Sequence, residues 1–304
     1  MYDLIIIGSG PAGLTAAIYA ERARMSALVL EREYISGGQV VNTYEVDNYP
    51  GLPGIGGLEL GMKFREHAEK LGAKFENAEV TDIIIEGTHK KVVTEDQVYE
   101  AKALIIATGA VHRTLGIPGE EELAGMGVSY CATCDGAFFK DRIVAVAGGG
   151  DVAVEDALFL ARICKKVYLI HRRDQLRAAK SLQEHLFACE NVEFLWDSTV
   201  TEICGEDHVE CIKIKNVKTQ EVKPLTVDGI FIAVGTVPNS QKFCNILETN
   251  ENGYICAGED CATSLPGVFA AGDVRNKDLR QIITAAADGA NAVNSVQAYL
   301  NAQL

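Results

Sequence analysis

The residues best suited to chemistry are two cysteines three positions apart. Cys131-Ala132-Thr133-Cys134 places a pair of thiols close enough in the chain to close a small redox disulfide. Asp135 follows the second thiol directly, where a carboxyl can move a proton as thiolate forms and leaves. The alternative use of Asp135 is a helix N-cap or turn aspartate. Zinc is the competing use of the cysteines. A structural zinc site takes four ligands, commonly two such pairs. The chain has no second C-x-x-C, and Cys256 and Cys261 have the wrong spacing. Redox chemistry is therefore favoured and no metal is expected. Cys164, Cys189, Cys204, Cys211, Cys244, Cys256 and Cys261 read as packing residues or incidental thiols.

Two glycine turns supply the second kind of chemistry. In Gly8-Ser9-Gly10-Pro11-Ala12-Gly13 the first glycine makes the tight turn and the second lets backbone approach a pyrophosphate. The third lets helix and strand pack closely, and the helix N-terminus offers free N–H groups and partial positive charge to phosphate. Glu31 stands roughly 20 residues on, at a strand end, placed to accept from ribose hydroxyls and to repel a 2′-phosphate. The second turn, Gly148-Gly149-Gly150-Asp151-Val152-Ala153, is the same device with alanine at the packing position. The strand after it ends in His171-Arg172-Arg173-Asp174-Gln175-Leu176-Arg177, so three arginines stand where the first unit has an acid. Guanidinium forks bind phosphate well, and arginine here accommodates the 2′-phosphate of NADP. The spacing thus predicts an adenosine with free ribose hydroxyls in one domain and NADPH in the other.

The elements that must hold these turns are legible as apolar runs. Asp3–Ile7 reads as a buried parallel strand, Leu14–Ala23 as a helix and Ser26–Leu30 as the next strand. Ile143–Ala147, a helix over Val154–Cys164 and Val167–Ile170 repeat that pattern. Ala103–Ala107 and Gly229–Ala233 are two further strands, each running into a glycine at Gly109 or Gly235. Gly267–Gly272 is another strand, ending at Asp273, before an Ala-rich helix from about Leu279 to Leu300. The expected fold is α/β: two dinucleotide-binding, Rossmann-like three-layer domains, the second inserted within the first. The first domain is expected over residues 1–113 and 243–304, and the NADPH-type domain with the cysteine pair over 114–242. The crossings are placed at Val111–Thr114 and Gln241–Phe243.

Composition agrees with that organisation. At roughly 100–200 residues per domain, 304 residues suit two domains. A net charge of −14 repels phosphate backbones, so nucleic acid is not an expected partner. No apolar run approaches the ~18 residues needed to cross a bilayer, and the opening MYDLIIIGSG has no basic leader region. Nine cysteines, an odd number with scattered spacing, point to a reducing, cytoplasmic compartment.

A nicotinamide delivers a hydride, and a disulfide takes two electrons to yield two thiols. A flavin joins the two chemistries by accepting hydride at its ring and passing electrons to sulfur. FAD is therefore expected at the first glycine turn. The segment Gly37–Gly51 is rich in turn and amide groups suited to the flavin ring, and Asp273 follows a strand, where it can take a ribityl hydroxyl. The helix after Asp273 would bring its positive end near the reduced ring.

With these pieces in order, the sequence resembles the low-molecular-weight thioredoxin reductases of bacterial type over essentially the whole chain. GSGPAG, GGQ, DNYPG, ATGA, CATCDG, GGGDVAVEDA, HRRDQLRA, and GDV followed by RQ carry the resemblance. It implies that Gly8, Gly10, Pro11, Ala12, Gly13 and Glu31 hold the adenosine half of FAD. Gly38, Gln39, Thr43, Asn48, Ala107, Thr108, Gly109, Gly272, Asp273, Arg280 and Gln281 would lie around the remainder of that cofactor. Cys131 and Cys134 would be the redox disulfide, with Cys134 facing the flavin and Cys131 attacking thioredoxin. Asp135 would be the acid/base. Gly148, Gly150, Asp151, Val152, Ala153, His171, Arg172, Arg173 and Arg177 would bind NADPH. The resemblance also implies a homodimer whose domains rotate between two orientations. Two positions depart from the family: Val152 replaces a small polar residue and Leu279 replaces a tyrosine. Val152 lacks a hydroxyl donor, which is expected to weaken NADPH binding. Ferredoxin-fed relatives tend to lose the second glycine turn and its arginines, and this chain keeps both. The alternative activities are reduction of another thioredoxin-like or peroxiredoxin-system partner and oxidation of small dithiols.

Overall fold

The computed structural model describes residues 1–43 and 45–303. Tyr44, inside the segment expected to hold the flavin ring, and Leu304 lie outside the described residues. The first pass of the chain builds strands β1 (Tyr2–Ile7), β2 (Ala27–Glu31), β3 (Lys74–Asn77), β4 (Val80–Glu86), β5 (His89–Thr94) and β6 (Val98–Ile106). Helix α1 (Pro11–Arg22) joins β1 to β2, and α2 (Gly57–Lys70) precedes β3. The sheet order is β3-β2-β1-β6-β5-β4. β1 pairs in parallel with β2 and β6, whereas β4, β5 and β6 pair antiparallel. β1 is apolar without interruption because both of its faces are covered. Leu4 and Ile6 pack with Ala12, Ala16 and Val293, while Ile5 and Ile7 pack on the other face with Val80 and Val92. Each such side chain contributes about 1.5–3 kcal/mol when fully buried.

After β7 (Ala110–His112) the chain forms a second compact unit, His112–Thr236. Its elements are β8 (Val128–Ser129), α3 (Ala132–Asp135), β9 (Ile143–Gly148), α4 (Asp151–Ala161), β10 (Lys166–Ile170), α5 (Lys180–Phe187), β11 (Val192–Leu195), β12 (Ser198–Cys204), β13 (Cys211–Asn216), β14 (Val222–Thr226) and β15 (Gly229–Ala233). The parallel sheet runs β11-β10-β9-β15-β8. One face packs on α4 through Val144, Val146, Val154 and Leu160, and the other on the antiparallel sheet β12-β13-β14 through Ala145, Ile203 and Ile212.

β16 (Thr236–Pro238) pairs with β7, and the chain then completes the first unit, Met1–Val111 with Val237–Leu304. β17 (Val268–Ala270) joins the C-terminal half of β6 in parallel, and α6 (Ile282–Asn301) lies on α1. The return falls at Thr236–Val237, ahead of the expected Gln241–Phe243. Residues ahead of 243 are already tied to the first unit: the Asn239 side chain donates to the Thr108 carbonyl, and the Ser240 hydroxyl donates to the Gly253 carbonyl. Each unit is therefore an α/β three-layer body, the second inserted in the first. Among the described residues no helix is long and apolar enough to cross a membrane.

Candidate active site

The first glycine turn is built by close approach. A Cβ on Gly13 would overlap the Gly8 carbonyl, and Gly8 itself has φ +104°. Gly10 is the N-cap of α1, with no side-chain cap, and Pro11 follows at the first helical position. The N–H groups of the first turn are thus left for an anion. Space is open above Gly10, where the nearest atom to a Cβ would be the Gly38 Cα at 3.9 Å. Glu31 is fixed beneath this turn. Its Oε2 accepts the Ser9 N–H and hydroxyl, both at 2.7 Å, and Oε1 accepts the Glu33 N–H at 3.0 Å. A carboxylate offers about four acceptor sites, so Glu31 retains capacity for a ribose hydroxyl.

The return strand brings Asp273 to the same unit. Asp273 Oδ1 is buried without a hydrogen-bond partner among the described residues, and burial raises its pKa, offset in part by Lys277 and Arg280. Arg280 Nε is likewise buried and has no hydrogen-bond partner among the described residues, its guanidinium 4.1 Å over the Tyr254 ring. The chain at Asp273 is held from behind by Asp288 on α6. Asp288 accepts the Gly272 N–H at 2.8 Å, Arg275 at 2.9 and 2.8 Å, and Lys277 at 2.8 Å. Burial opposes ionisation of Asp288, but the Arg275 and Lys277 hydrogen bonds bring its pKa below the ordinary value. Asp288→Ala removes the carboxylate of Lys277 and leaves Arg275 with only the exposed Glu259, and it is expected to destabilise the protein by about 3–5 kcal/mol, read from the urea midpoint. A loss under 1 kcal/mol would show that the cluster does not hold this loop.

Around them, Asn48 Nδ2 donates to Gln281 Oε1 at 2.9 Å. Gln281 caps α6 in a reciprocal box with Thr284. This cap starts the helix at Ile282 instead of near Leu279, because Gln281 is extended (φ −141°). Gly38 and Gln39 open the short 3₁₀ turn Gly38–Asn42, and the Thr43 carbonyl accepts the Gly57 N–H at 3.0 Å. Ala107 N–H donates to Ile7, Thr108 Oγ1 donates to the Asn239 carbonyl, and Gly109 turns with φ +68° into open space.

In the second unit Cys131 and Cys134 are joined as a disulfide, Cα atoms 5.3 Å apart, across the first turn of α3. The Cys134 and Asp135 N–H groups both donate to the Cys131 carbonyl. The Asp135 side chain makes no cap hydrogen bond, which corrects the N-cap alternative. It accepts instead from the Ser129 hydroxyl at 2.6 Å, and the same Ser129 oxygen accepts the Cys131 N–H at 3.1 Å. Burial raises the Asp135 pKa above its ordinary 3.8, the Ser129 bond offsetting part of this.

The second glycine turn repeats the first. A Cβ on Gly148 would overlap Ala233 and Ala153, and Gly150 caps α4 with nothing within 4 Å of where its Cβ would stand. The arginine segment folds back onto this turn. Arg177 N–H donates to the Gly149 carbonyl and Ala179 N–H to Asp151 Oδ1, both at 2.7 Å. The His171 ring packs against Gly149 with Nε2 buried and unpartnered. Burial, then Arg177, Arg172 and Arg173, lower its pKa. Arg172, Arg173 and Arg177 are exposed and no carboxylate pairs with them among the described residues. Val152, 55% exposed, stands on the first turn of α4.

A family model described as pyridine nucleotide-disulphide oxidoreductase matches residues 2–289. The thioredoxin reductase of Listeria innocua is 48% identical over 99% of this chain and 94% of its own length, and that of Bacillus subtilis is 48% identical over 99% and 95%. The crystal structure of thioredoxin reductase from Streptococcus pyogenes superposes with a TM-score of 0.95 at 50% identity, covering 99% of both chains. The chain belongs to the thioredoxin reductases, within the pyridine nucleotide-disulphide oxidoreductase family. Against the motifs of a thioredoxin reductase, sequence reasoning missed Ser129, Asn239 and the Arg275–Lys277–Asp288 cluster. Ser129 and Asn239 carry no local signal, since their partners are set by packing. Asp288 did have one: it is an acid on the buried face of the Ala-rich α6 helix, where a carboxylate survives only if paired.

Proposed function

We propose that this protein is an NADPH-dependent thioredoxin-disulfide reductase, with FAD held by the first unit and NADPH by the second. The observation that carries the reading is the Cys131–Cys134 disulfide followed by the half-buried Asp135, in the same unit as the arginine-flanked glycine turn. FAD suits the first unit on its own residues. The unpartnered Asp273 oxygen needs a hydroxyl donor such as a ribityl group supplies, since an unsatisfied buried acceptor costs about 1–3 kcal/mol. The uncapped α1 N-terminus suits pyrophosphate, and Glu31 suits an unphosphorylated ribose. When bound, FAD supplies the two-electron relay between nicotinamide and sulfur.

The protein residues then have distinct tasks. Arg172, Arg173 and Arg177 take the 2′-phosphate, and the Gly150 turn takes the pyrophosphate. Cys134 would be the thiol that takes electrons from the flavin. Once the pair is reduced, Cys131 attacks the thioredoxin disulfide, and Cys134 resolves the mixed disulfide. Asp135 supplies and recovers the proton of the departing thiolate. The balance is NADPH, a proton and oxidised thioredoxin giving NADP⁺ and the thioredoxin dithiol. Tyr19 and Met62, exposed on α1 and α2, suit a homodimer contact, and the cysteine content suits the cytoplasm.

Anaerobic titration of the yellow protein with NADPH, then with oxidised thioredoxin, tests the reading. Bleaching followed by recovery of colour is expected, and a colourless protein that takes up no flavin would refute it. Asp135→Ala should lower turnover about 10²-fold. Because burial raises its pKa, Asp135 keeps its proton to higher pH than an ordinary aspartic acid, so the acid form is lost as pH rises through that value. The corresponding limb of the rate profile should disappear in the variant. An unchanged profile would remove Asp135 from proton transfer.

A further inference from the structure

The β12–β13 hairpin carries a pair of groups that reduction of a protein disulfide does not use. Cys204 ends β12, Cys211 begins β13, and the antiparallel register sets them directly opposite. Residues so paired have Cα atoms about 4.5–5.5 Å apart, within the span of about 4.4–6.8 Å over which a disulfide closes. Both are free, partly exposed thiols. The neighbouring residues Ile203 and Ile212 are buried, so the alternation of the strands puts the two thiols on the face turned away from the core. The next pair on their face is Glu202 opposite Lys213, joined at 2.7 Å. The Cys204 thiol points at Glu202 Oε1, 3.6 Å away. Burial, then the Cys211 thiol and Glu202, push the Cys204 pKa up to about 11.

We propose that Cys204 and Cys211 form a second reversible dithiol–disulfide site, separate from Cys131–Cys134, that exchanges with small organic disulfides. Cys211, as thiolate, attacks one sulfur of the small disulfide; that S–S bond breaks, and the departing thiolate takes a proton from water. Cys204 then attacks the Cys211 sulfur, and its proton passes through water to the second small thiolate as that leaves. The protein dithiol is oxidised by two electrons, and one small disulfide becomes two thiols. Cys204 takes the second role because its thiol is already engaged by the Glu202 oxygen, which makes it the less available of the two for the first attack.

The test treats the FAD-loaded full chain with hydroxyethyl disulfide in the absence of NADPH. Remaining thiols are alkylated and chymotryptic peptides are read by mass spectrometry. The expected result is an internal Cys204–Cys211 disulfide, with loss of both alkyl tags from that peptide and their return after dithiothreitol. Cys204→Ala should trap a stable hydroxyethyl adduct on Cys211, while Cys211→Ala should modify Cys204 at least tenfold more slowly. The proposal is overturned if both thiols of the wild-type hairpin stay alkylated under excess oxidant. It is equally overturned if Cys211 holds an unresolved adduct in the wild type, or if either thiol pairs with another cysteine. Circular dichroism of each variant separates these outcomes from misfolding.

Discussion

Cys134→Ser is expected to leave the protein folded and yellow while lowering thioredoxin reduction by about 10³-fold or more, a barrier increase above ~4 kcal/mol. Serine keeps nearly the shape of cysteine, and the hydrogen bonds that fix α3 run from the backbone to the Cys131 carbonyl, so the turn survives. The residues proposed to hold the flavin belong to the other compact unit. What disappears is the two-electron acceptor: a lone Cys131 thiol cannot store an electron pair as a dithiol or resolve a mixed disulfide. Steady-state turnover with oxidised thioredoxin, alongside the flavin absorbance of the purified variant, measures both halves. Turnover within tenfold of the wild type would place the working disulfide elsewhere in the chain. Loss of colour together with activity would show instead that the substitution acted through the fold.

Substituting alanine at both Arg172 and Arg173 should raise the Michaelis constant for NADPH by about 10²-fold or more, with little change for NADH. Each charge-assisted contact to phosphate contributes about 1.5–3 kcal/mol, and the two guanidiniums are exposed with no carboxylate to neutralise them among the described residues. The segment is anchored independently of those side chains, by Arg177 N–H on Gly149 and Ala179 N–H on Asp151. The loop should therefore keep its path in the variant. Comparing both nicotinamide donors in one assay isolates the 2′-phosphate, because they share every other group. An equal loss for NADPH and NADH would mean that the arginines serve the turn and not the phosphate.

Much of this protein is legible in short stretches of chain. The Gly8–Gly13 and Gly148–Ala153 turns, the uninterrupted apolar strands beside them and the Cys131–Cys134 pair depend on neighbours a few residues away, and local sterics fix their form. Glu31 and the arginine segment were readable for a related reason: a strand of known rise carries them to the end of the sheet next to the turn. The resemblance to thioredoxin reductases then joined these pieces in order.

Tertiary structure decided what depends on distant partners. Asp135 is held by Ser129 and not by a helix end, and Glu31 already carries the Ser9 and Glu33 hydrogens. The return to the first unit comes early because Asn239 and Ser240 find their hydrogen-bond partners there, in Thr108 and Gly253. The Gly272–Asp273 loop is set by Asp288 from the final helix. Cys204 and Cys211 look incidental in the chain and become a pair only through hairpin register. Local sequence fixes conformations whose free energy is settled within a few residues, whereas side-chain partners are chosen by packing that sums contacts across the whole unit.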